Sequence, residues 1–241
     1  MGARRARRLG AQLEMRAVVD APLKRTWGGK RPGAGRKRHD PKVRRVEHGV
    51  RLQHRDRFPV HVVVRAVTGL PSFRSEAIEQ VFKSILRDHR GKRPKRKYRD
   101  DFQVVHFSVQ TNHLHMIIEA NGDCLRSGVS GIAIAFAKRL NKLLSRGGKV
   151  WRDRYYARDL ATPNDVRNVL SYVLQNYKKH GYTTYGFGAI DPRSSAPAFD
   201  GWSIPIVGIE TEPWPVLPAR TWLLERGWKI HGLLRPSGRP A

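Results

Sequence analysis

The chain has 241 residues, of which 39% are hydrophobic, enough for one compact domain with extensions. Lysine and arginine number 47 against 20 acidic residues, so the net charge of +27 favours a polyanionic partner such as nucleic acid. A single cysteine, Cys124, excludes an intramolecular disulfide and a zinc site built from several thiolates, and no run of residues has the length and apolar character of a membrane-spanning helix.

Residues 1–50 are predicted to form a flexible basic arm, because arginine-rich runs alternate with glycine and proline and few apolar residues are left to bury. The net charge is +11 over this arm, +15 over residues 51–180 and +1 over residues 181–241. The run KRPGAGRKR at 30–38 can follow a DNA groove in an extended conformation, and an unspecific solvated tail is an equally good interpretation. Its candidate DNA-binding residues are Arg31, Arg36, Lys37 and Arg38.

Residues 51–180 are predicted to form the folded domain. It begins with a β-branched strand at 59–68, followed by a helix at 72–89 in which apolar residues recur with the helical period. Seven of the next ten residues, RGKRPKRKYR at 90–99, are basic, and the glycine and proline among them predict a loop. This loop supplies the candidate DNA-binding residues Lys92, Arg93, Lys95, Arg96 and Lys97.

Two strands at 102–110 and 113–120 are separated only by Thr111 and Asn112, and are predicted to form a hairpin. Side chains alternate between the faces of a strand, so His113 and His115 share one face near the turn. Two imidazoles at this spacing can converge on a metal ion. Because the chain contains ten histidines, such a pair can also arise by chance, and a half-buried strand histidine is the alternative.

A helix is predicted at 129–146, with an apolar face and a basic ridge that contains Lys138 and Lys142. The ridge is a candidate DNA contact, although a charge stripe at this spacing is more often the solvated face of a helix. The following segment, VWRDRYYAR at 150–158, is predicted to be a strand. Its tyrosines, Tyr155 and Tyr156, are predicted to pack or to stack on bases.

The last helix of this domain is predicted to start at Thr162 as N-cap, with Pro163 in the first turn and Asp165 completing a capping box, and to end near Gly181. Tyr172 and Asn176 lie four positions apart at the margin of its apolar stripe, so the tyrosine hydroxyl and the amide oxygen are predicted to share one surface. A tyrosine that only packs its ring is the alternative.

The order β-α-β-β-α-β-α predicts an α+β protein with a split βαβ, ferredoxin-like sheet and its last helix laid across that sheet. Residues 181–241 are rich in proline, glycine and tryptophan, and no function can be assigned to them from their sequence. Their low net charge favours a C-terminal extension that packs on the domain over one that stacks on bases. A short helix is predicted at 221–228.

Three motifs resemble those of the single-tyrosine HUH transposases, specifically the REP-associated tyrosine transposases: the strand NHLHMII, the segment at 150–158, and the Tyr172–Asn176 spacing. The resemblance spans roughly residues 50–180. It implies the HUH nuclease arrangement and cleavage and rejoining of single-stranded or hairpin DNA through a 5′-phosphotyrosine. It also implies a divalent metal, Mg²⁺ or Mn²⁺, held by His113, His115 and Asn176, with Tyr172 as the nucleophile.

Several alternatives stay open at this stage. Two imidazoles would also suit zinc or cobalt. The active site could also be completed by a second subunit in a homodimer. A nearby cation such as Lys179 could activate Tyr172. A non-catalytic or domesticated nucleic-acid-binding protein of ferredoxin-like fold is the rival function, because such sheets also bind RNA, although it leaves the histidine pair unexplained. We expect a cytoplasmic, nucleoid-associated protein without a membrane partner.

Overall fold

The structure, a computed structural model, describes residues 53–90, 101–180, 190–206 and 214–236. Four strands and three longer helices carry the fold, and short helices follow them. The strands are β1 (Val60–Arg65), β2 (Phe102–Val109), β3 (His113–Ala120) and β4 (Tyr156–Asp159). The helices are α1 (Glu76–Arg90), α2 (Cys124–Leu143), α3 (Pro163–Leu174) and α4 (Trp222–Glu225), with 3₁₀-helices at Asn176–His180, Ala196–Ala198 and Gly227–His231.

The four strands form one antiparallel sheet in the order β2-β3-β1-β4. The two βαβ units are β1-α1-β2 and β3-α2-β4. The two strands of each unit are not neighbours in the sheet, because a strand of the other unit lies between them. This is the split βαβ, ferredoxin-like arrangement, so the predicted α+β fold class and element order are confirmed.

The two faces of the sheet carry different layers. Alternate residues of β1 and β3, such as Val62 and Met116, lie in one core with α1 and α2. The other face presents residues such as Ile117 to α3 and to the described part of the C-terminal segment. Because side chains alternate along a strand, this division places the odd-numbered residues of β3 beneath α3.

The described C-terminal residues pack on the domain. At the β2 edge of the sheet, the Val109 amide donates to the Arg193 carbonyl and the Ser195 amide donates to the Phe107 carbonyl, each at 2.9 Å. Trp228 is buried in the layer that contains α3, whereas Trp222 is 59% exposed. The segment therefore covers part of a strand edge that would otherwise present unpaired backbone groups.

A buried ion pair joins this segment to the start of α1. The Asp191 carboxylate accepts two hydrogen bonds from the Arg74 guanidinium, at 2.7 and 2.8 Å, and a third from the Arg193 amide at 3.1 Å. Asp191 is fully buried and the Arg74 side chain is 9% exposed. Removing either partner would leave a buried charge without its counter-ion.

We expect Asp191→Ala to lower the free energy of unfolding by about 3–5 kcal/mol, because the Arg74 charge would remain buried. Urea unfolding followed by circular dichroism measures this change. The matched control is Glu225→Ala, which breaks an exposed ion pair with Arg226 and should change stability by less than about 1 kcal/mol. Equal effects of the two substitutions would contradict a structural role for the buried pair.

Two predicted elements differ from the structure. The helix predicted at 129–146 begins earlier, at Cys124, and ends at Leu143, because Ser145 adopts a left-handed conformation (φ 48°) before the glycines at 147 and 148 are reached. The strand predicted at 150–158 is interrupted. Trp151 pairs with Ala66 in an isolated antiparallel bridge while its indole N–H donates to the Ala133 carbonyl at 2.8 Å, residues 152–155 are not in the sheet, and regular pairing resumes at Tyr156–Asp159.

Within the described ranges, every helix is too short or too polar to cross a bilayer.

Candidate active site

The histidine pair lies buried on the face of the sheet that α3 covers. His113 is 5% exposed and His115 is 3% exposed, and their ring centroids are 4.8 Å apart. Leu114, between them, points into the opposite core. The shared face predicted from the alternation of a strand is therefore present, and the two imidazoles converge.

Asn112, immediately before the pair, orients the first imidazole. Its side-chain oxygen lies 2.8 Å from Nδ1 of His113. Because an amide oxygen only accepts hydrogen bonds, Nδ1 of His113 carries the proton and the lone pair is on Nε2. This is the tautomer in which a histidine binds a metal through Nε2.

A third histidine, His61 on β1, contacts the pair and is not among the residues predicted from the sequence. Its Nε2 lies 3.1 Å from Nδ1 of His115, and the two rings stack at a centroid distance of 5.3 Å. The available signal was its place as the polar residue in the apolar run VHVVV, but nothing in that run indicates its partner. Only the pairing of β1 with β3 brings the two rings together.

Burial lowers the pKa of His61 to about 4. The positive charge of Arg158, which lies opposite His61 on β4, also lowers this pKa. His61 is therefore neutral at neutral pH, and one hydrogen bond joins it to His115. With the proton on Nδ1 of His115, that nitrogen donates to His61 and the lone pair of His115 lies on Nε2. Both histidines of the pair can then present Nε2.

Tyr172 reaches the histidines from α3. The helix begins as predicted, with the Thr162 hydroxyl accepting from the Asp165 amide at 3.1 Å and Pro163 in the first turn. The predicted apolar stripe of α3 is buried against the sheet, which leaves Tyr172 half-buried at its margin. Its ring centroid lies 5.2 Å from that of His115 and 6.1 Å from that of His61.

A cation also lies beside this tyrosine. Nζ of Lys179 is 4.6 Å from the centroid of the Tyr172 ring. Lys179 is the cation that we expected near Tyr172 from the sequence, and in the structure it lies over that ring. Its ammonium group adds positive charge over the face of the tyrosine ring, which favours the approach of an anion such as a phosphate.

Asn176 does not share one continuous α-helix with Tyr172, so the helix predicted to run on to Gly181 was wrong at this point. Helix α3 ends at Leu174, Gln175 leaves the helical conformation, and Asn176 starts a 3₁₀-helix. The residues at this break contact the C-terminal segment: the Gln175 side chain donates to the Arg235 carbonyl at 3.1 Å, and Lys178 donates to the Pro236 carbonyl. Gly181, the predicted helix stop, lies outside the described residues.

The Asn176 side chain is 1% exposed, and neither its oxygen nor its nitrogen has a hydrogen-bond partner among the described residues. A buried polar group without a partner costs about 1–3 kcal/mol, so native proteins rarely leave one unsatisfied. The amide therefore has the character of a group whose partner is a ligand. An amide oxygen is a ligand that hard divalent cations accept.

The donor atoms present fit a divalent ion. In the described ranges, no group of three or more His, Cys, Asp or Glu residues is arranged to hold a metal. A metal site here would therefore need a ligand of another type beside the imidazoles, and the buried amide oxygen of Asn176 is a donor of such a type. Such a set neutralises none of the charge of the ion, which favours an anionic further ligand such as a phosphate.

The other predicted residues lie elsewhere. Lys138 and Lys142 are exposed on α2, on the opposite side of the sheet from the histidine pair, so they do not line this site. Tyr155 packs against the α1 and α2 core, and Tyr156 is 58% exposed on β4. The candidate DNA-binding residues of the arm and the loop lie outside the described residues: Arg31, Arg36, Lys37, Arg38, Lys92, Arg93, Lys95, Arg96 and Lys97.

No protein-family model and no curated protein matches the chain. Among solved structures, the chain is similar to a REP-associated tyrosine transposase bound to a REP hairpin, with 16% identity, a TM-score of 0.45, and coverage of 57% of this chain and 76% of that one. It is also similar to a protein named as a transposase of Deinococcus radiodurans, with 14% identity, a TM-score of 0.34, and coverage of 59% and 100%.

Proposed function

We propose that this protein is a transposase-like DNA nuclease and strand transferase that cleaves and rejoins single-stranded or hairpin DNA through a 5′-phosphotyrosine on Tyr172. The observation that carries the proposal is the contact between the Tyr172 ring and the His115 ring, whose centroids lie 5.2 Å apart. A nucleophile beside a set of metal ligands is the arrangement that phosphoryl transfer to a hydroxyl requires. The net charge of +27 supports a nucleic-acid substrate.

The proposed cleavage is a transesterification. The Tyr172 oxygen attacks the phosphorus, the bond from phosphorus to the 3′-oxygen breaks, and the proton that leaves the phenol is balanced by the proton that the 3′-oxygen takes up. The products are a 5′-phosphotyrosine and a free 3′-hydroxyl. A 3′-hydroxyl that attacks the phosphotyrosine reverses these bond changes, so rejoining needs no external energy source.

The residues around the tyrosine have separate tasks in this proposal. A divalent ion, Mg²⁺ or Mn²⁺, when held by His113, His115 and Asn176, would neutralise charge on the scissile phosphate. Asn112 and His61 contact Nδ1 of the two imidazoles and so orient the rings, with Nε2 of each directed away from these contacts. Lys179 places a second positive charge over the ring of the attacking tyrosine.

The test is incubation of the protein with labelled hairpin DNA that has single-stranded flanks, in Mn²⁺ or in EDTA, followed by a denaturing gel. A covalent adduct that forms only with the metal supports the proposal. DNA binding without an adduct, across hairpins taken from the flanks of the gene, would instead favour the non-catalytic nucleic-acid-binding protein. Affinity alone does not separate the two, because both depend steeply on salt.

We expect His61→Phe to weaken Mn²⁺ binding by about 10- to 100-fold, because His115 loses the hydrogen bond that orients it while the ring at position 61 is kept. Calorimetric titration of the full chain measures the affinity. His61→Gln, which retains a hydrogen-bonding group, should recover part of the loss. Unchanged Mn²⁺ affinity in the phenylalanine variant would show that His61 has only a packing role.

A further inference from the structure

Gln110 lies directly across the β2–β3 turn from His113. Its backbone amide donates to the His113 carbonyl at 2.9 Å, and Ser108, two positions earlier, pairs with His115. Residues opposite each other in an antiparallel pair share a face, with Cβ atoms about 5 Å apart. The Gln110 side chain therefore starts on the same face as the His113 imidazole and next to it.

The side-chain amide of Gln110 is fully buried, and a hydrogen bond from its nitrogen orients it. Its Nε2 donates to the Ser108 hydroxyl at 2.6 Å. The oxygen Oε1, on the other arm of the planar amide, is buried and has no hydrogen-bond partner among the described residues. A carbonyl oxygen in this situation needs a hydrogen-bond donor or a cation, because burial without either costs about 1–3 kcal/mol.

Asn176 provides a second, independent observation of the same kind. It comes from a different element, one turn beyond Tyr172, and its buried amide also has no partner within the described part of the chain. A divalent cation accepts amide oxygens together with imidazole nitrogens, so an ion held at the histidine pair is a partner that would satisfy the Gln110 oxygen next to His113.

We propose that Oε1 of Gln110 is a further ligand of the divalent ion, in addition to His113, His115 and Asn176; this rests on the proposed function. The set then has two nitrogen and two oxygen donors. Mg²⁺ and Mn²⁺ favour oxygen ligands, whereas zinc more readily accepts sets dominated by nitrogen or sulfur ligands. The second amide oxygen therefore contributes more to the binding of Mg²⁺ and Mn²⁺ than to that of Zn²⁺.

The experiment is titration of the full-length protein with Mn²⁺ and separately with Zn²⁺, followed by calorimetry and by the metal-induced change in melting temperature. Gln110→Met keeps the length of the side chain but removes the oxygen, and should weaken Mn²⁺ binding by at least about 10-fold and Zn²⁺ binding by less. Gln110→Glu keeps an oxygen and adds a negative charge, and should tighten Mn²⁺ binding. Circular dichroism of the metal-free variants checks their folding.

The outcomes separate this inference from the proposed function. If the wild-type protein binds no Mn²⁺, the metal-assisted function itself fails. If the wild type binds Mn²⁺, His113→Ala abolishes binding and Gln110→Met binds as the wild type does, only the role of Gln110 is overturned, and its oxygen is then satisfied by a buried water. If Gln110→Met does not fold, Gln110→Glu decides: unchanged Mn²⁺ affinity in that variant overturns the proposal.

Discussion

Replacement of Tyr172 by phenylalanine is expected to abolish the covalent protein–DNA adduct while the fold and DNA binding are retained. The substitution removes only the hydroxyl, and the half-buried ring that packs on the layer with α3 stays in place. Loss of a nucleophile typically lowers the rate by at least about a thousandfold, so no adduct should be visible within the range of a gel assay. The measurement is the denaturing gel with labelled hairpin DNA and Mn²⁺.

Tyr156→Phe is the matched control for this experiment. Tyr156 is the more exposed tyrosine, at 58%, and lies on β4 opposite Val63, which itself pairs with His115. It is therefore on the same face of the sheet as the proposed active site, but two strands away from the His115 backbone. Adduct formation should persist in this variant. If Tyr172→Phe retained the adduct and Tyr156→Phe lost it, the nucleophile would be Tyr156 and not Tyr172.

Replacement of His113 by alanine is expected to remove divalent-metal binding and, with it, DNA cleavage. Loss of groups that merely orient a metal ligand costs about 10- to 100-fold in affinity, so removal of a ligand should cost at least that much. DNA binding should be nearly unchanged, because it depends on phosphate contacts of basic residues and not on the metal. Calorimetric Mn²⁺ titration and a filter-binding assay on the same preparation measure the two properties separately.

His231→Ala is the control, since His231 is an exposed histidine in the 3₁₀-helix Gly227–His231. Its Mn²⁺ affinity and cleavage rate should match those of the wild type. EDTA should reproduce the effect of His113→Ala on the wild-type protein. Metal-independent cleavage that survives both treatments would mean that the histidine pair is a structural feature of the sheet.

The C-terminal segment has a structural link to the proposed active site. Contacts from Gln175 and Lys178 to the carbonyls of Arg235 and Pro236 accompany the end of α3 and the start of the 3₁₀-helix at Asn176. The residues on both sides of Asn176 are thus held by residues some sixty positions later in the chain.

Much of the fold was predictable because it is encoded in local patterns. The β-branched run at β1, the helical period of α1 and the two-residue hairpin turn each specify an element from neighbouring residues alone. The same applies to the Thr162 cap and to the shared face of His113 and His115, which follows from the two-residue period of a strand. These features were sufficient to predict the order of elements and the split βαβ sheet.

The rest was decided by contacts between residues far apart in the chain. His61 joins the site only because β1 pairs with β3, and Gln110 is notable only because burial leaves its oxygen without a partner among the described residues. The residues after the break before Asn176 contact the C-terminal segment, and the strand predicted at 150–158 is interrupted after Trp151, whose ring packs in the aromatic core. Sequence patterns report local conformation, whereas hydrogen-bond partners and burial are properties of the packed chain, so only the tertiary structure could determine them.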